Sequence, residues 1–173
     1  MNVPEELAAW VPALFDDPTR PLYAQAATVA AGGAPDVRTV HVRFVKDWDA
    51  LAFASHTGSP KWSQLAADPR LKLCFFHPRL GLQLRFEATA SLASDPSDPG
   101  ISALWAATEP WLRKEYGAKG RAPAVPAAYG AARLEISFWD AYRVDPAHPE
   151  KNERTVHRLS GDAWRSEPRT ALR

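Results

Sequence analysis

The sequence predicts a mainly β (α+β) fold, a small antiparallel barrel of six to seven strands with short peripheral helices. Three observations lead to this prediction. Several segments alternate apolar and polar residues, clusters of Gly, Pro and Asp separate them, and the helical patterns between them are short. The chain has 173 residues, of which 46% are hydrophobic, which suits one globular domain. We therefore expect a single domain over residues 1–173.

The first strand pair is predicted to be a hairpin. The segment YAQAATVAA, which begins at Tyr23, is followed by the turn cluster GGAP at 32–35 and then by RTVHVRFV from Arg38 to Val45. Alternation in the second segment places Thr39, His41 and Arg43 on the face opposite to Val40 and Val42. These features are typical of two antiparallel strands joined by a slightly long loop.

A strand, a turn and a short helix follow in that order. The strand is ALAFASH at 50–56, and the helix begins in TGSPKW, where Ser59 can cap it and Pro60 can occupy its first position. The pair Asp68-Pro69 ends the helix after about two turns. The compact apolar segment LKLCFFH at 71–77 predicts the next strand.

Two later segments alternate with period two. In LQLRFEATASL, the residues at even positions from Leu82 to Leu92 are apolar, and those at odd positions from Gln83 to Ser91 are polar. In RLEISFWDAYRV, we expect Phe138 and Tyr142 to share the inner face with Leu134, and Trp139 to lie on the outer face. A final hairpin, ERTVHRLS followed by GDAW, is predicted to close the chain.

Helical patterns occur at the start of the chain and between strands. Leu7, Trp10 and Leu14 have helical spacing, and Pro12 is expected to split or kink that helix. Residues of about 97–117 predict a helical insertion that is broken at Pro110. The following stretch, AKGRAPAVPAAYG, contains Lys119 and Arg121 and is predicted to be a loop.

Composition and motifs exclude several classes of function. A formal net charge of +1 argues against a nucleic-acid-binding protein. No apolar run is long enough for a membrane helix, and the acidic start MNVPEELAAW lacks the basic end of a signal peptide, so we expect a cytoplasmic protein with no membrane partner. The five histidines are scattered, so no metal site is expected. The single cysteine, Cys74, cannot form an internal disulfide, so redox chemistry would require a bound cofactor.

The segment ASHTGSPKW is the best candidate for an anion site. A strand, a glycine-containing turn and a capped helix would present free backbone N–H groups and the positive end of the helix dipole, and Ser59 and Lys61 would add a hydroxyl donor and a full charge. A helix that simply begins at Ser-Pro-Lys is the alternative interpretation. Two polar strand faces are further candidates: Gln83, Arg85 and Glu87 on one strand, and Thr39, His41 and Arg43 on another. For the first row, a solvent-exposed face is an equal alternative to a ligand or subunit contact, and polar triplets such as the second usually face solvent.

Several segments, taken in order, carry a resemblance to a known family. They are Arg38-Thr39-Val40 continuing to Arg43, the run from Phe53 to Lys61, Leu65-Ala66-Ala67-Asp68-Pro69-Arg70, Gln83-Leu84-Arg85-Phe86-Glu87-Ala88, and Arg154 with Gly161-Asp162-Ala163-Trp164. With these segments, the chain resembles the pyridoxamine 5'-phosphate oxidase-related, FMN-binding split-barrel family from about Leu22 to Trp164. The resemblance implies a split barrel that forms a homodimer, with two FMN sites at the subunit interface, each built from both chains.

The resemblance also implies roles for particular residues. Arg38 and Lys61 would neutralise the FMN phosphate, Ser55 and Ser59 would donate hydrogen bonds to it, and Gln83 with the backbone of 39–42 would contact the flavin ring. The full set of cofactor-binding residues implied in this way is Arg38, Thr39, Val40, His41, Val42, Arg43, Ala54, Ser55, Ser59, Lys61, Gln83 and Arg154. No catalytic side chain is assigned, because the redox chemistry belongs to the cofactor.

Departures from the family pattern bear on the substrate. Pro60 replaces an arginine of the family's phosphate segment, and Glu150 and Asn152 occupy the spacing of the oxidases' Arg-x-His pair. An acidic Glu150 would repel a substrate phosphate. We therefore expect an FMN-dependent oxidoreductase that transfers hydride to or from an unknown small substrate. The alternatives are a non-catalytic flavin- or haem-binding module on the same fold, and a true pyridoxamine/pyridoxine 5'-phosphate oxidase.

Overall fold

A computed structural model describes residues 1–8, 11–15, 22–117 and 124–169. Within these ranges, eight antiparallel strands form one continuous sheet in the order β3-β2-β1-β4-β5-β6-β7-β8. The strands are β1 (Leu22–Val29), β2 (Pro35–Val45), β3 (Ala50–His56), β4 (Arg70–His77), β5 (Leu82–Ala93), β6 (Tyr129–Arg143), β7 (Glu153–Ser160) and β8 (Ala163–Arg169). An additional pairing of β3 with β6 closes the first six strands into a barrel.

The fold class and most of the predicted strands are confirmed. The hairpin of β1 and β2 pairs Leu22 with Val42 and Val29 with Pro35, and Gly33 in its turn has a φ of 82°. That backbone conformation is accessible to glycine and strained for other residues. Six strands form the barrel, as the sequence predicts, and the β7–β8 hairpin extends the sheet from β6 beyond it. The side chains of Leu82, Leu84 and Phe86 on β5 point into the core.

The predicted faces of the second half of β6 are wrong. The register between β5 and β6 shifts between Glu87 and Ala88, so that Glu87 pairs with Phe138, Ala88 pairs with Ile136, and Ser137 has no partner. Such a bulge inserts one residue and reverses the alternation beyond it. Trp139 consequently lies fully buried in the core, whereas Phe138 lines an outer groove. Tyr142 pairs with Gln83 and shares its outer face.

In the part of the chain that the structure describes, five short α-helices lie around the barrel: α1 (Glu5–Ala8), α2 (Val11–Phe15), α3 (Pro60–Ala67), α4 (Pro99–Ala107) and α5 (Pro110–Glu115). The helical insertion is thus confirmed as α4 and α5, separated before Pro110 as predicted. The N-terminal pattern forms two helices, with Pro12 inside α2 rather than between them. Trp10, Lys119 and Arg121 lie outside the described residues.

The start of α3 departs from the predicted capping. Ser59 occupies the N-cap position and Pro60 the first turn, but the Ser59 side chain makes no capping hydrogen bond. Its hydroxyl lies 3.0 Å from the hydroxyl of Ser55 instead. At α4, by contrast, the Asp98 carboxylate accepts from the amide of Gly100 at 2.7 Å and from the indole of Trp48 at 2.8 Å.

Two apolar clusters hold the fold together. The larger one fills the barrel and is closed at one end by Leu7, Val11 and Phe15 from the N-terminal helices. The smaller one lies outside the barrel, where α4 packs Leu104 and Trp105 against the outer sides of β3 and β6. This second cluster positions the helical insertion over the outer face of the sheet. None of the described helices is long and apolar enough to span a membrane.

Candidate functional site

A pocket of about 360 Å³ lies between the outer faces of β1–β3 and the α4–α5 insertion. Six of the residues predicted to bind a cofactor line it: Thr39, Val40, His41, Arg43, Ala54 and Lys61. The insertion and neighbouring strands supply the other lining residues: Tyr23, Leu104, Thr108, Glu109, Trp111, Leu112, Tyr116 and Tyr129. The pocket therefore combines a polar, cationic side with an aromatic one.

Two cations in this pocket have no carboxylate within ion-pair distance among the described residues. Lys61 is half-buried, and burial lowers the pKa of its ammonium group, as does the neighbouring charge of Arg38. Arg43 likewise has no acidic partner in the described part of the chain, and its charge acts on His41 and Tyr129. Uncompensated cations in a partly desolvated pocket favour a bound anion.

Arg38 lies beside this pocket but is held by the chain itself. Its guanidinium forms an ion pair with Asp36 at 2.5 Å and hydrogen bonds with the side chains of Gln64, at 2.8 Å, and Thr28. Gln64 also donates to Asp36 at 2.8 Å, which lowers the pKa of that carboxyl group. The chain thus already neutralises one of the two cations that the resemblance assigns to the phosphate.

The turn before α3 does not provide the predicted cradle of free amides. The N–H of Thr57 donates to the carbonyl of Ala128 at 2.9 Å, that of Gly58 to His56 Nδ1 at 3.0 Å, and that of Ser59 to the His56 carbonyl at 3.0 Å. Pro60 has no N–H to offer. An anion at this turn would therefore be held mainly by Lys61 and by the Ser59 hydroxyl.

Burial keeps His41 and Tyr129 of the pocket neutral near pH 7. Burial lowers the pKa of His41 to about 4, and the charge of Arg43 adds to that effect. Burial raises the pKa of Tyr129 to about 12, although its 2.9 Å hydrogen bond with Thr108 opposes the shift. Near neutral pH, His41 is thus a neutral hydrogen-bonding group and Tyr129 a neutral phenol.

Gln83 and Arg154 lie on a different part of the surface. Gln83 on β5 pairs with Tyr142 on β6, which in turn pairs with Arg154 on β7. In the strand order, β5 is three steps from β2, or roughly 14 Å at the usual strand spacing. Within one subunit, these two predicted residues are not brought to the pocket.

Arg154 is anchored by a carboxylate that the sequence patterns do not reveal. Asp140 is 1% exposed; its oxygens accept from Arg154 Nε at 3.0 Å and Arg154 Nη2 at 2.8 Å, and Asp140 also pairs with Arg85. Burial alone would raise the pKa of Asp140, but the hydrogen bonds from Arg154 and Arg85 outweigh it and lower that pKa. This triad lines a groove of about 590 Å³ on the outer face.

The two surfaces belong to one continuous face of the sheet. A row of paired residues runs from Thr39 through Gln25, Cys74 and Arg85 to Asp140. Large apolar side chains are exposed on this face: Tyr23 is 52%, Val37 58% and Phe76 55% exposed. Exposed apolar groups on the face that also carries a groove are typical of a protein interaction surface.

Two further predicted site residues, Ser55 and Val42, are buried. Ser55 is buried and contacts Ser59, and Val42 is buried in the core, so only the backbone of Val42 can contribute to a site. The aromatic wall and Glu109 were missed, because the sequence patterns do not place the helical insertion against β2. Thr28 and Asp36 could have been found from the hairpin register, since they form a cross-strand pair beside Arg38.

Comparisons with known proteins identify the family of the chain. The sequence model of the family described as pyridoxamine 5'-phosphate oxidase matches residues 12–165. A pyridoxine/pyridoxamine 5'-phosphate oxidase of Rhodopseudomonas palustris is 32% identical over 152 residues, covering 80% of this chain and 70% of the relative. One from Anaeromyxobacter dehalogenans is 31% identical over 166 residues, covering 80% of this chain and 79% of the relative.

Solved structures show the same fold. A pyridoxamine 5'-phosphate oxidase-related, FMN-binding protein from Nostoc punctiforme is 25% identical, with a TM-score of 0.74, and the match covers 86% of this chain and 87% of that one. PhzG from Burkholderia lata, solved with tetrahydrophenazine-1-carboxylic acid, shares the fold with a TM-score of 0.72 at 14% identity, over 95% of this chain and 88% of that one. The chain therefore belongs to the pyridoxamine 5'-phosphate oxidase family, a family of flavin-binding, oxidoreductase-type proteins.

Proposed function

We propose that the protein binds FMN in the pocket under α4 and α5 and acts as an FMN-dependent oxidoreductase on a small substrate by hydride transfer. The observation that carries this proposal is the half-buried charge of Lys61 at the start of α3, which has no carboxylate partner among the described residues. A phosphate group carries a charge of about −1.5 to −2 near neutral pH, so a bound phosphate would supply the counter-charge that Lys61 lacks among the described residues. The FMN-binding relative from Nostoc punctiforme supports the choice of anion.

The residues of the pocket fit the parts of FMN. Lys61 and the nearby Ser59 hydroxyl would hold the phosphate, while the backbone of 39–42 and the neutral His41 would offer hydrogen-bonding groups to the polar edge of the ring. Tyr23, Tyr116 and Tyr129 provide flat apolar surfaces. When bound, FMN supplies the hydride chemistry, and the chain orients it and keeps water away from one side.

We further propose that the active form is a homodimer. Gln83 and Arg154 lie on the outer face, away from Lys61, together with exposed Tyr23 and Phe76. If two copies bury this face against each other, Gln83 and Arg154 of one copy can reach the flavin held by Lys61 of the other. The site is then incomplete in a single subunit, and dissociation of the dimer would weaken FMN binding.

The substrate is proposed to differ from pyridoxamine or pyridoxine 5'-phosphate. Asn152 is used within the chain, because its oxygen accepts from the amide of Asp145 at 2.8 Å and its nitrogen donates to the Tyr142 hydroxyl at 3.3 Å. Glu150 lies 3.3 Å from His148. Neither position offers the cationic group that a substrate phosphate would require.

Cofactor binding is tested by titrating the apoprotein with FMN and with riboflavin, which lacks the phosphate. We expect FMN to bind about 100-fold more tightly than riboflavin, since charge-assisted hydrogen bonds each contribute about 1.5–3 kcal/mol. In Lys61→Ala this preference should shrink, whereas Lys46→Ala, which removes an exposed lysine outside the pocket, should keep it. Equal affinities for FMN and riboflavin in the wild-type protein would contradict the proposal.

Turnover is tested on the FMN-loaded protein. Reduction of the flavin by a nicotinamide donor, followed by reoxidation in air, would support the oxidoreductase. A flavin that binds but cannot be reduced by any nicotinamide donor would favour the non-catalytic binding module. Aldehyde formation from pyridoxamine 5'-phosphate at saturating FMN would identify a true oxidase and contradict the proposed difference in substrate.

A further inference from the structure

Arg38 lies on the side of α3 that carries Lys61. Its guanidinium donates to the side-chain oxygen of Gln64 at 2.8 Å, and Gln64 is three residues after Lys61 in the helix. Side chains at this spacing are neighbours on one face of a helix. The charge of Arg38 is also close enough to Lys61 to lower the pKa of its ammonium group. A phosphate held by Lys61 would therefore be within the field of Arg38.

Asp36 cancels most of that field. Its carboxylate forms the 2.5 Å ion pair with Arg38, and it also accepts from the side-chain nitrogen of Gln64 at 2.8 Å. The hydrogen bond from Gln64 and the charge of Arg38 lower the pKa of Asp36, so the carboxylate is ionised near neutral pH. A contacting pair of opposite charges acts on a third charge far less than either charge alone does.

The turn before α3 does not make up for the loss of Arg38. The amides of residues 57–59 already donate to acceptors within the chain, and Pro60 has no N–H. Asp36 acts against a bound anion in two ways, since its charge offsets Arg38 and also repels the anion directly. Both effects have the same sign, so the charge of Asp36 has a large influence on how strongly a phosphate is held.

We infer that Asp36 is a specificity-determining residue for the cofactor: it competes with the phosphate of FMN for the charge of Arg38 and weakens the binding of FMN relative to riboflavin. The inference rests on the proposed function, because it takes the FMN phosphate as the anion at Lys61. Neither Asp36 nor Arg38 is among the described residues that line the pocket assigned to the flavin ring. The effect of Asp36 is therefore specific to the phosphate.

Asp36→Asn tests the inference with little change of shape. The asparagine oxygen can still accept from Gln64, whereas the negative charge is lost. The apoprotein is titrated with FMN and with riboflavin, which lacks the phosphate, and flavin fluorescence reports binding. We expect FMN affinity to rise about tenfold, because one arginine charge is no longer offset near the phosphate. The gain should appear mainly as slower dissociation of FMN, and riboflavin affinity should stay unchanged.

A double variant separates the charge of the pair from other effects. Arg38→Gln alone leaves Asp36 without its cation, so FMN affinity should fall about tenfold. Asp36→Asn combined with Arg38→Gln removes both charges and should return FMN affinity to within about threefold of the wild type, since the pair carries no net charge. Unchanged riboflavin affinity shows that the pocket is intact in each variant.

The control is Asp68→Asn. Asp68 also pairs with an arginine, Arg70, at 2.7 Å, but it lies at the other end of α3, about 10 Å from Lys61 along the helix axis. This variant should leave the affinities for FMN and riboflavin unchanged.

Three outcomes would overturn the inference. They are an FMN affinity that Asp36→Asn leaves unchanged or lowers, an equal gain in Asp68→Asn, and a double variant that binds FMN as weakly as Arg38→Gln does. Failure of the proposed function has a different signature, in which neither the wild-type protein nor Asp36→Asn prefers FMN to riboflavin, and the inference then fails with it.

Discussion

Two clusters of basic side chains lie on the outer face of the barrel, and they differ in their counter-charges. In the groove, Arg85 and Arg154 share the buried carboxylate of Asp140. In the pocket, Lys61 and Arg43 have no carboxylate within ion-pair distance among the described residues. A chain neutralises within itself the cations that serve its architecture, and it leaves unpaired those that a ligand will neutralise. This difference separates the cations that the chain neutralises itself from those proposed to neutralise the FMN phosphate.

The largest expected effect is the loss of stability on removing the carboxylate of the groove. Asp140→Ala leaves Arg154 without its two hydrogen bonds and also breaks the pair with Arg85. We expect the free energy of unfolding to fall by about 3 kcal/mol, at the lower end for a buried ion pair because Arg85 can turn to water. Urea denaturation measures this change in the free energy of unfolding. Glu135→Ala, an exposed change on the same strand, should cost less than about 0.5 kcal/mol, and an equal effect of both variants would refute the assignment.

Removing the cation of the pocket should weaken FMN binding and leave the free energy of unfolding nearly unchanged. Lys61→Ala should raise the dissociation constant for FMN about tenfold or more, since a charge-assisted hydrogen bond to phosphate is lost. Its free energy of unfolding without FMN should change by less than about 0.5 kcal/mol, because no ion pair is broken. Fluorescence titration and urea denaturation on the same samples measure both quantities. A large loss of stability with unchanged FMN affinity would reverse the comparison.

A smaller effect is expected from the contact that positions α3. A Cβ added at Gly130 would lie 2.6 Å from the ring of Trp62, the residue after Lys61. Gly130→Ala should therefore displace α3 and lower the free energy of unfolding by about 1–2 kcal/mol, as expected for overpacking. Because Lys61 moves with the helix, FMN affinity should fall as well. Gly32→Ala, where a Cβ meets no neighbouring atom, is the control, and it should change neither quantity.

The smallest effect is a dependence of stability on pH. The pKa of His41 is about 4 in the folded chain, against an ordinary value of 6.5, so the unfolded chain binds more protons between these values. Stability should therefore fall as the pH drops from 6.5 towards 4, by about 1 kcal/mol at pH 5 after allowing for the solvent screening of a partly exposed ring. His41→Gln should flatten this part of the profile in urea denaturation. A variant profile parallel to that of the wild type would show that His41 is not the titrating group.

Local sequence patterns predict much of the fold and less of the site. The alternation of β5, the Ser-Pro start of α3 and the turn at Gly33 each depend on neighbouring residues, and the structure confirms them. The face of Trp139 could not be predicted, because the bulge at Ser137 depends on how β6 pairs with β5. A local sequence pattern predicts the local conformation, whereas a shift of register is decided by the pairing with the partner strand.

The candidate site shows the same division. The segment from Ser55 to Lys61 is contiguous in sequence, so its turn and helix could be predicted from it. The sequence could not predict that the amides of this turn are already hydrogen-bonded, since Thr57 donates to Ala128, more than 70 residues away in the sequence. Glu109 and Trp111 reach the pocket only because α4 packs on β3 and β6. Contacts between distant segments therefore decide which cations remain unpaired.

The most direct measurement of the central claim is a crystal structure of the protein with FMN. We predict that a phosphate oxygen lies within about 3 Å of Lys61 Nζ, the usual length of a charge-assisted hydrogen bond, and that the ring lies against the outer face of β2. The triad of Arg85, Asp140 and Arg154 should remain intact. A phosphate bound in the groove, beside Arg158 or Arg169, with Lys61 facing solvent would contradict the account.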